Sequence, residues 1–217
     1  MTDLVVAKFG GTSVADFDAM NRSIDVALLD ANTRIVVLSA SAGVTNILVA
    51  LAGGLEPTER FSQLDALRQI QFNILERLRY PNVIREEIER LLENITTLAE
   101  AAALASSTAL TDELVSHGEL MSTLLFVEIL RERGIQAQWF DARKVLRTND
   151  RFGRAEPDIA AVAELTQQQL ADLVSVSRQT INAIEKGDYN PTIRLCISIC
   201  RALGKTLDEL FWEEEEQ

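Results

Sequence analysis

The period of the apolar residues changes once along this chain, and that change constrains the fold more than any other feature. Two short β-branched runs, Leu4 to Phe9 (LVVAKF) and Arg34 to Ser39 (RIVVLS), flank a helical stretch, Asp16 to Leu29. A strand, a crossover helix and a second strand form the βαβ unit, which predicts a parallel sheet with helices on its faces. From Asp158 to Trp212 every segment is helical and short, and turn residues separate the pieces. No Gly/Ser linker marks the change near Glu164. The expectation is an α/β domain over 1–164 followed by an all-α bundle over 165–217.

Between these ends the spacing predicts a helix from Val44 to Leu51, stopped at Gly53 and Gly54. Three longer helices are expected over Glu59 to Arg79, Val83 to Ala105 and Thr111 to Arg133. The second of these carries Ile84, Ile88, Leu91, Leu92, Ile95 and Leu98 at helical spacing. Ile135 to Phe140 returns to strand character, and Asp141 to Pro157 is polar, charged and punctuated by Gly and Pro, so it reads as a loop.

With 217 residues, 47% of them hydrophobic, the chain can bury a substantial core, and no apolar run reaches the roughly 20 residues of a membrane span. The expected address is cytoplasmic, with no membrane partner. Cys196 and Cys200, with His117 far away, make no metal set and read as core thiols. The net charge of −12 opposes nonspecific nucleic-acid binding. From Thr166 onward, however, five bases (Arg178, Lys186, Arg194, Arg201, Lys205) balance five acids once the run Glu213 to Glu216 is set aside, so a local basic face would have to do any steering.

At the end of the first strand run stands Lys8-Phe9-Gly10-Gly11-Thr12-Ser13. Adjacent glycines let backbone amides converge on an anion, the following helix presents its positive end, and Lys8 can neutralise a phosphoryl group. A structural Gly-Gly turn is the competing explanation.

The segments KFGGTSVADFDAMNRS, VVLSASAGVTN, RLRYPNVIREEIERLLENI, ALTDELVSHGELMST and QWFDARKVLRTNDRFGRAEPDIA together resemble the N-terminal part of bacterial aspartokinases of the lysine-sensitive kind, in the amino-acid kinase family. That family phosphorylates the β-carboxylate of aspartate with MgATP. By that resemblance Lys8, Gly10, Gly11 and Thr12 belong to the ATP-phosphate site, with Lys8 the catalytic residue, inherited and idle. Ser39, Thr45 and Glu119 would hold aspartate. The alternatives are backbone bonding at helix starts for Ser39 and Thr45, and a solvated carboxylate for Glu119. After Glu164 the family's later glycine-rich segment, adenine-binding region and regulatory domains have no counterpart, so the sheet is truncated and an apolar face or strand edge is left open.

In the C-terminal part, Thr166 reads as the N-cap of Gln167 to Val174, with Leu170 and Val174 inward and Ala171 permitting close contact. Ser175-Val176 makes a turn, Ser177 caps a second helix through Lys186 with Ile181 and Ile184 inward, and Gly187 stops it. Arg178, Gln179, Thr180 and Asn182 fall in the first turns of that helix, and they are residue types that pair with base edges in the major groove. Asn190-Pro191 starts the next helix, whose core residues are Ile193, Cys196, Ile197, Ile199, Cys200 and Leu203; Leu207, Leu210 and Phe211 close the bundle.

LTQQQLADLVSVSRQTINAIEKGDYNPTIRLCISICRALGKTLDELF resembles the XRE family of phage-repressor-like helix-turn-helix regulators. That implies base contacts by Arg178, Gln179 and Asn182, and phosphate contacts by Gln167, Lys186 and Asn190. The first helix of such domains would here be borrowed from 158–165, with Ile159 and Val162 reaching the core. The chain thus reads as a natural or engineered fusion that binds DNA sequence-specifically, as a homodimer and without a cofactor, while MgATP and L-aspartate would meet only a surviving kinase site. The other two readings are an aspartate kinase and a fusion in which neither half acts.

Overall fold

The computed structural model describes residues 5–211, so Leu4 of the first strand run, Trp212 and the acids Glu213 to Glu216 lie outside the described residues. Contacts divide the chain into two compact units, the first ending at Phe140 and the second beginning at Asp141.

In the first unit β1 (Val5–Phe9) pairs in parallel with β2 (Thr33–Leu38), joined by a single 3-10 turn over Gly11–Val14 and the helix α1 (Phe17–Ala27). Asp16 caps α1, its Oδ1 accepting from the Ala19 amide at 2.7 Å. The helices α2 (Val44–Ala52), α3 (Pro57–Leu75), α4 (Asn82–Leu104) and α5 (Thr108–Glu132) follow. Gly54, at φ +80°, supplies the left-handed stop expected after α2. α3 starts at Pro57 because proline's fixed φ suits the first helical position.

Leu48 and Leu51 of α2, Leu67 and Ile74 of α3, Ile88 and Ile95 of α4, and Leu114, Met121 and Leu125 of α5 are fully buried in one core that also takes Met20 and Ile24 of α1. Each such side chain stabilises the unit by about 1.5–3 kcal/mol relative to exposure.

Two features differ from the simplest α/β picture. The strand expected over Ile135 to Phe140 does not form: the segment alternates half-buried and exposed residues but joins no ladder, and among the described residues the sheet consists of β1 and β2. Trp139 instead ties it to α5, its Nε1 donating to Thr123 Oγ1 at 2.9 Å. The open apolar face is present as expected, with Val6, Ile35 and Val37 46–51% exposed on one side of the sheet.

The second unit opens with a loop holding a 3-10 turn at Ala142–Lys144 and an isolated bridge between Thr148 and Pro157. Then come α6 (Ile159–Leu173), α7 (Arg178–Glu185), α8 (Ile193–Leu203) and α9 (Leu207–Phe211). The expected division at 164/165 falls inside α6, which is unbroken. Asp158, not Thr166, is its cap, with Oδ1 accepting from the Ala161 amide at 3.0 Å. Thr166 sits mid-helix and turns its hydroxyl back to Val162 O at 2.8 Å, since the preceding apolar residues have already carried the helix through its position.

The core of this unit is small. Ala171, Ile181 and Ile199 are buried, with Leu170, Val174, Val176, Ile184, Leu195 and Phe211 around them. Cys196 and Cys200 are buried free thiols that reach the Pro191 and Thr206 carbonyls at 3.9 and 3.4 Å. Burial pushes the Cys200 thiol up, and the nearby Cys196 and Glu209 add to it. Several residues expected inside are not: Ile159 is 71% exposed, Ile193 66% and Leu203 47%, while Ile197 and Leu210 are also exposed. They lie on faces of α6, α8 and α9 turned away from the small core of Ala171, Ile181 and Ile199. α8 is capped by Thr192 rather than begun by Asn190-Pro191, Thr192 Oγ1 accepting from the Leu195 amide at 3.3 Å.

Candidate functional site

The glycine turn after β1 lies against the end of β2. A Cβ on Gly11 would meet Ala40 O at 2.9 Å, so backbone approach alone demands glycine there. Gly10 has no such constraint, because a Cβ on it would meet nothing within 4 Å. Ser39 continues β2 by donating its amide to Phe9 O at 3.1 Å, and Ser122 of α5 donates its hydroxyl to Ser39 O at 2.9 Å. Glu119, one helical turn earlier, accepts from the Ala40 amide on Oε1 at 3.3 Å. Gly11, Ser39 and Glu119 are thereby gathered around Ala40.

Lys8 pairs with Val37 in the ladder and its side chain is exposed on the open sheet face beside Val6. Thr12 is exposed in the 3-10 turn, on a shallow open cleft with Phe9, Ser13, Arg22 and Val26. Thr45 is exposed in the first turn of α2. The expected kinase residues are therefore partly clustered and partly spread over an uncovered face. Ala40, Ser122 and Gly118 were not anticipated; a glycine in the middle of a long helix is the one local signal that pointed to close approach.

In the second unit the turn between α6 and α7 is a tight helix stop. The Ser175 amide donates to Asp172 O at 3.3 Å and the Val176 amide to Ala171 O at 3.0 Å, with Ser175 left-handed at φ +58°. Ser177 then caps α7, its Oγ accepting from the Thr180 amide at 3.2 Å. The cap puts Arg178, Gln179 and Asn182 on the first turns of α7, with Gln179 exposed and the other two half-buried. Lys186 and Asn190 are exposed beyond its end.

Two of the expected DNA-facing groups are engaged by acids. Arg178 Nη1 lies 3.8 Å from Glu164 Oε1, and Gln167 donates its Nε2 to Glu185 Oε2 at 2.6 Å. Neither acid stood out in the sequence, because each looks like an ordinary solvated helix carboxylate. Among the described residues no group of three His, Cys, Asp or Glu side chains could hold a metal, and no helix is long and apolar enough to cross a membrane.

The chain is 82% identical over 170 residues to lysine-sensitive aspartokinase 3 of Escherichia coli (strain K12), a match covering 78% of this chain and 38% of that protein. A crystal structure of E. coli aspartokinase III in complex with lysine and aspartate superposes with a TM-score of 0.76 at the same identity and the same coverage of 78% and 38%. This chain therefore spans well under half the length of that relative. The helix-turn-helix family model matches residues 163–210. The uncharacterized HTH-type transcriptional regulator YgzD of Bacillus subtilis (strain 168) is 47% identical over 51 residues, covering 24% of this chain and 77% of that protein. Through residues 163–210 the chain belongs to the XRE-type helix-turn-helix family, and its N-terminal part matches the N-terminal part of a lysine-sensitive aspartokinase.

Proposed function

We propose that this chain is a sequence-specific DNA-binding regulator acting through α7. The observation that supports this most is the capped start of α7, which sets Arg178, Gln179 and Asn182 in its first turns directly after the Ser175 stop. Arg to guanine and Gln or Asn to adenine are favoured major-groove pairings. Lys186 and Asn190, exposed past the end of α7, suit phosphate oxygens, and Gln167 does so once released from Glu185. A homodimer would read two half-sites about one helical turn apart. No cofactor is required for that binding.

Selection of duplexes from a random library by the purified chain should enrich one motif, bound with affinity that falls steeply as salt rises. Arg178→Ala should cost about 1–3 kcal/mol at one base position. Equal retention of all duplexes, or indifference to that substitution, would sink the assignment of α7.

For the kinase-derived unit we propose no aspartate phosphorylation. Lys8 and Thr45 lie exposed rather than enclosed, and phosphoryl transfer depends on groups held together away from water. Weak binding of MgATP or L-aspartate is the most this unit would retain. Aspartate-dependent ATP turnover should be the same for the chain and for Lys8→Ala; a rate that vanishes with the substitution would restore the kinase.

A further inference from the structure

We infer that the first turns of α6, Ile159 to Glu164, mask the DNA-facing side of the helix-turn-helix unit; this rests on the DNA-binding reading above. A helix beginning at Gln167 would carry unbonded amides and the positive end of its dipole there, beside a side chain suited to phosphate. α6 begins at Ile159, so that end lies about 12 Å further back along the axis, at about 1.5 Å per residue. The hydroxyl of Thr166, which would cap a helix starting at Gln167, is given to Val162 O.

The same extension supplies the acid. Glu164 stands 3.8 Å from Arg178, with its side chain 66% exposed and that of Arg178 33%. DNA must displace this carboxylate from the guanidinium and then tolerate it beside phosphates. Gln167 is held in parallel by Glu185. The pair is solvent-screened and therefore weak, so the mask is a barrier that DNA can open. Binding selects the form in which α6 breaks between Glu164 and Gln167, where Thr166 takes over as cap.

Three forms of the full chain separate the possibilities: the chain itself, Glu164→Gln, which removes the charge, and Glu164→Pro, which also breaks the helix by removing an amide and clashing with the carbonyl four residues back. Their affinities for a duplex selected by the chain are measured by fluorescence anisotropy, with circular dichroism recording helicity and folding. Glu164→Gln should bind about 3- to 5-fold more tightly. Glu164→Pro should bind more tightly still while losing helix signal. If the proline variant fails to fold, the glutamine variant decides alone. Unchanged or weaker binding by Glu164→Gln overturns the mask while Arg178→Ala still reports recognition. If none of the forms shows binding that depends on Arg178, the DNA-binding reading itself falls, and the mask with it.

Discussion

Glu119 Oε1 accepts a hydrogen bond from the Ala40 amide at 3.3 Å, and the glycine preceding it is what lets α5 come so near. A Cβ on Gly118 would lie 2.7 Å from Ala40 Cβ and 3.2 Å from both Leu48 Cδ1 and Val44 Cγ1. Alanine would gain about 1 kcal/mol in helix propensity. Overpacking a contact this tight costs about 1–3 kcal/mol, so the steric effect wins. Gly118→Ala should lower the urea midpoint of the kinase-derived unit, and an equal or higher midpoint would refute the packing argument.

Gln71 of α3 is fully buried, and neither Oε1 nor Nε2 has a hydrogen-bond partner among the described residues. An orphaned buried polar group costs about 1–3 kcal/mol, while an apolar residue of similar shape carries no such penalty. Gln71→Leu is therefore expected to raise the urea midpoint of the same unit. Destabilisation by the leucine would mean that the amide is satisfied after all.

How much of this could be read from the sequence depends on the range of the interactions involved. α1 and α7 follow from local signals: Asp16 and Ser177 announce their starts, and the apolar period runs true behind each. The failure of Ile135 to Phe140 as a strand is a long-range matter, since its alternation is strand-like and pairing is decided by what lies beside the segment rather than by its own residues. Thr166 misled for a related reason. A threonine before an apolar run is a fair cap signal, but Asp158 offers an earlier one and nothing between them breaks a helix. The grouping of Gly11, Ser39 and Glu119 became legible through an extended resemblance rather than through spacing. The Glu164–Arg178 pair depends on how α6 and α7 cross, which no local pattern encodes.

The stops after α6, α7 and α8 are built alike, and one lacks its usual residue. Asp188 donates to Ala183 O past Gly187 at φ +75°, and Lys205 to Cys200 O past Gly204 at φ +63°. After α6 the same bond pattern passes through Ser175 at φ +58°. A non-glycine residue there costs about 1–2 kcal/mol, and glycine's extra freedom when unfolded returns about 0.5–1 of it. Ser175→Gly should thus stabilise the unit by up to about 1 kcal/mol, read as a higher melting temperature. A lower melting temperature would show that the serine is not strained.

The pH response of α9 follows from Glu209. Its Oε2 accepts from the Thr206 amide at 2.8 Å while Thr206 Oγ1 accepts from the Glu209 amide at 3.3 Å, a capping box that sets α9 and with it Phe211 on the core. The backbone bond to Thr206, followed by the ion pair from Lys205 at 2.9 Å, holds the carboxyl down to about 2 from an ordinary 4.5. Because the folded value is depressed, the stabilisation is fully present above about pH 4.5 and is lost progressively as pH falls toward about 2. Amide exchange at Leu207 to Phe211 should therefore quicken relative to α8 across that window. Glu209→Gln keeps an acceptor for the Thr206 amide but cannot titrate, and should abolish the pH dependence while α9 persists. If the exchange profile of that variant still follows pH between about 4.5 and 2, another group controls the helix.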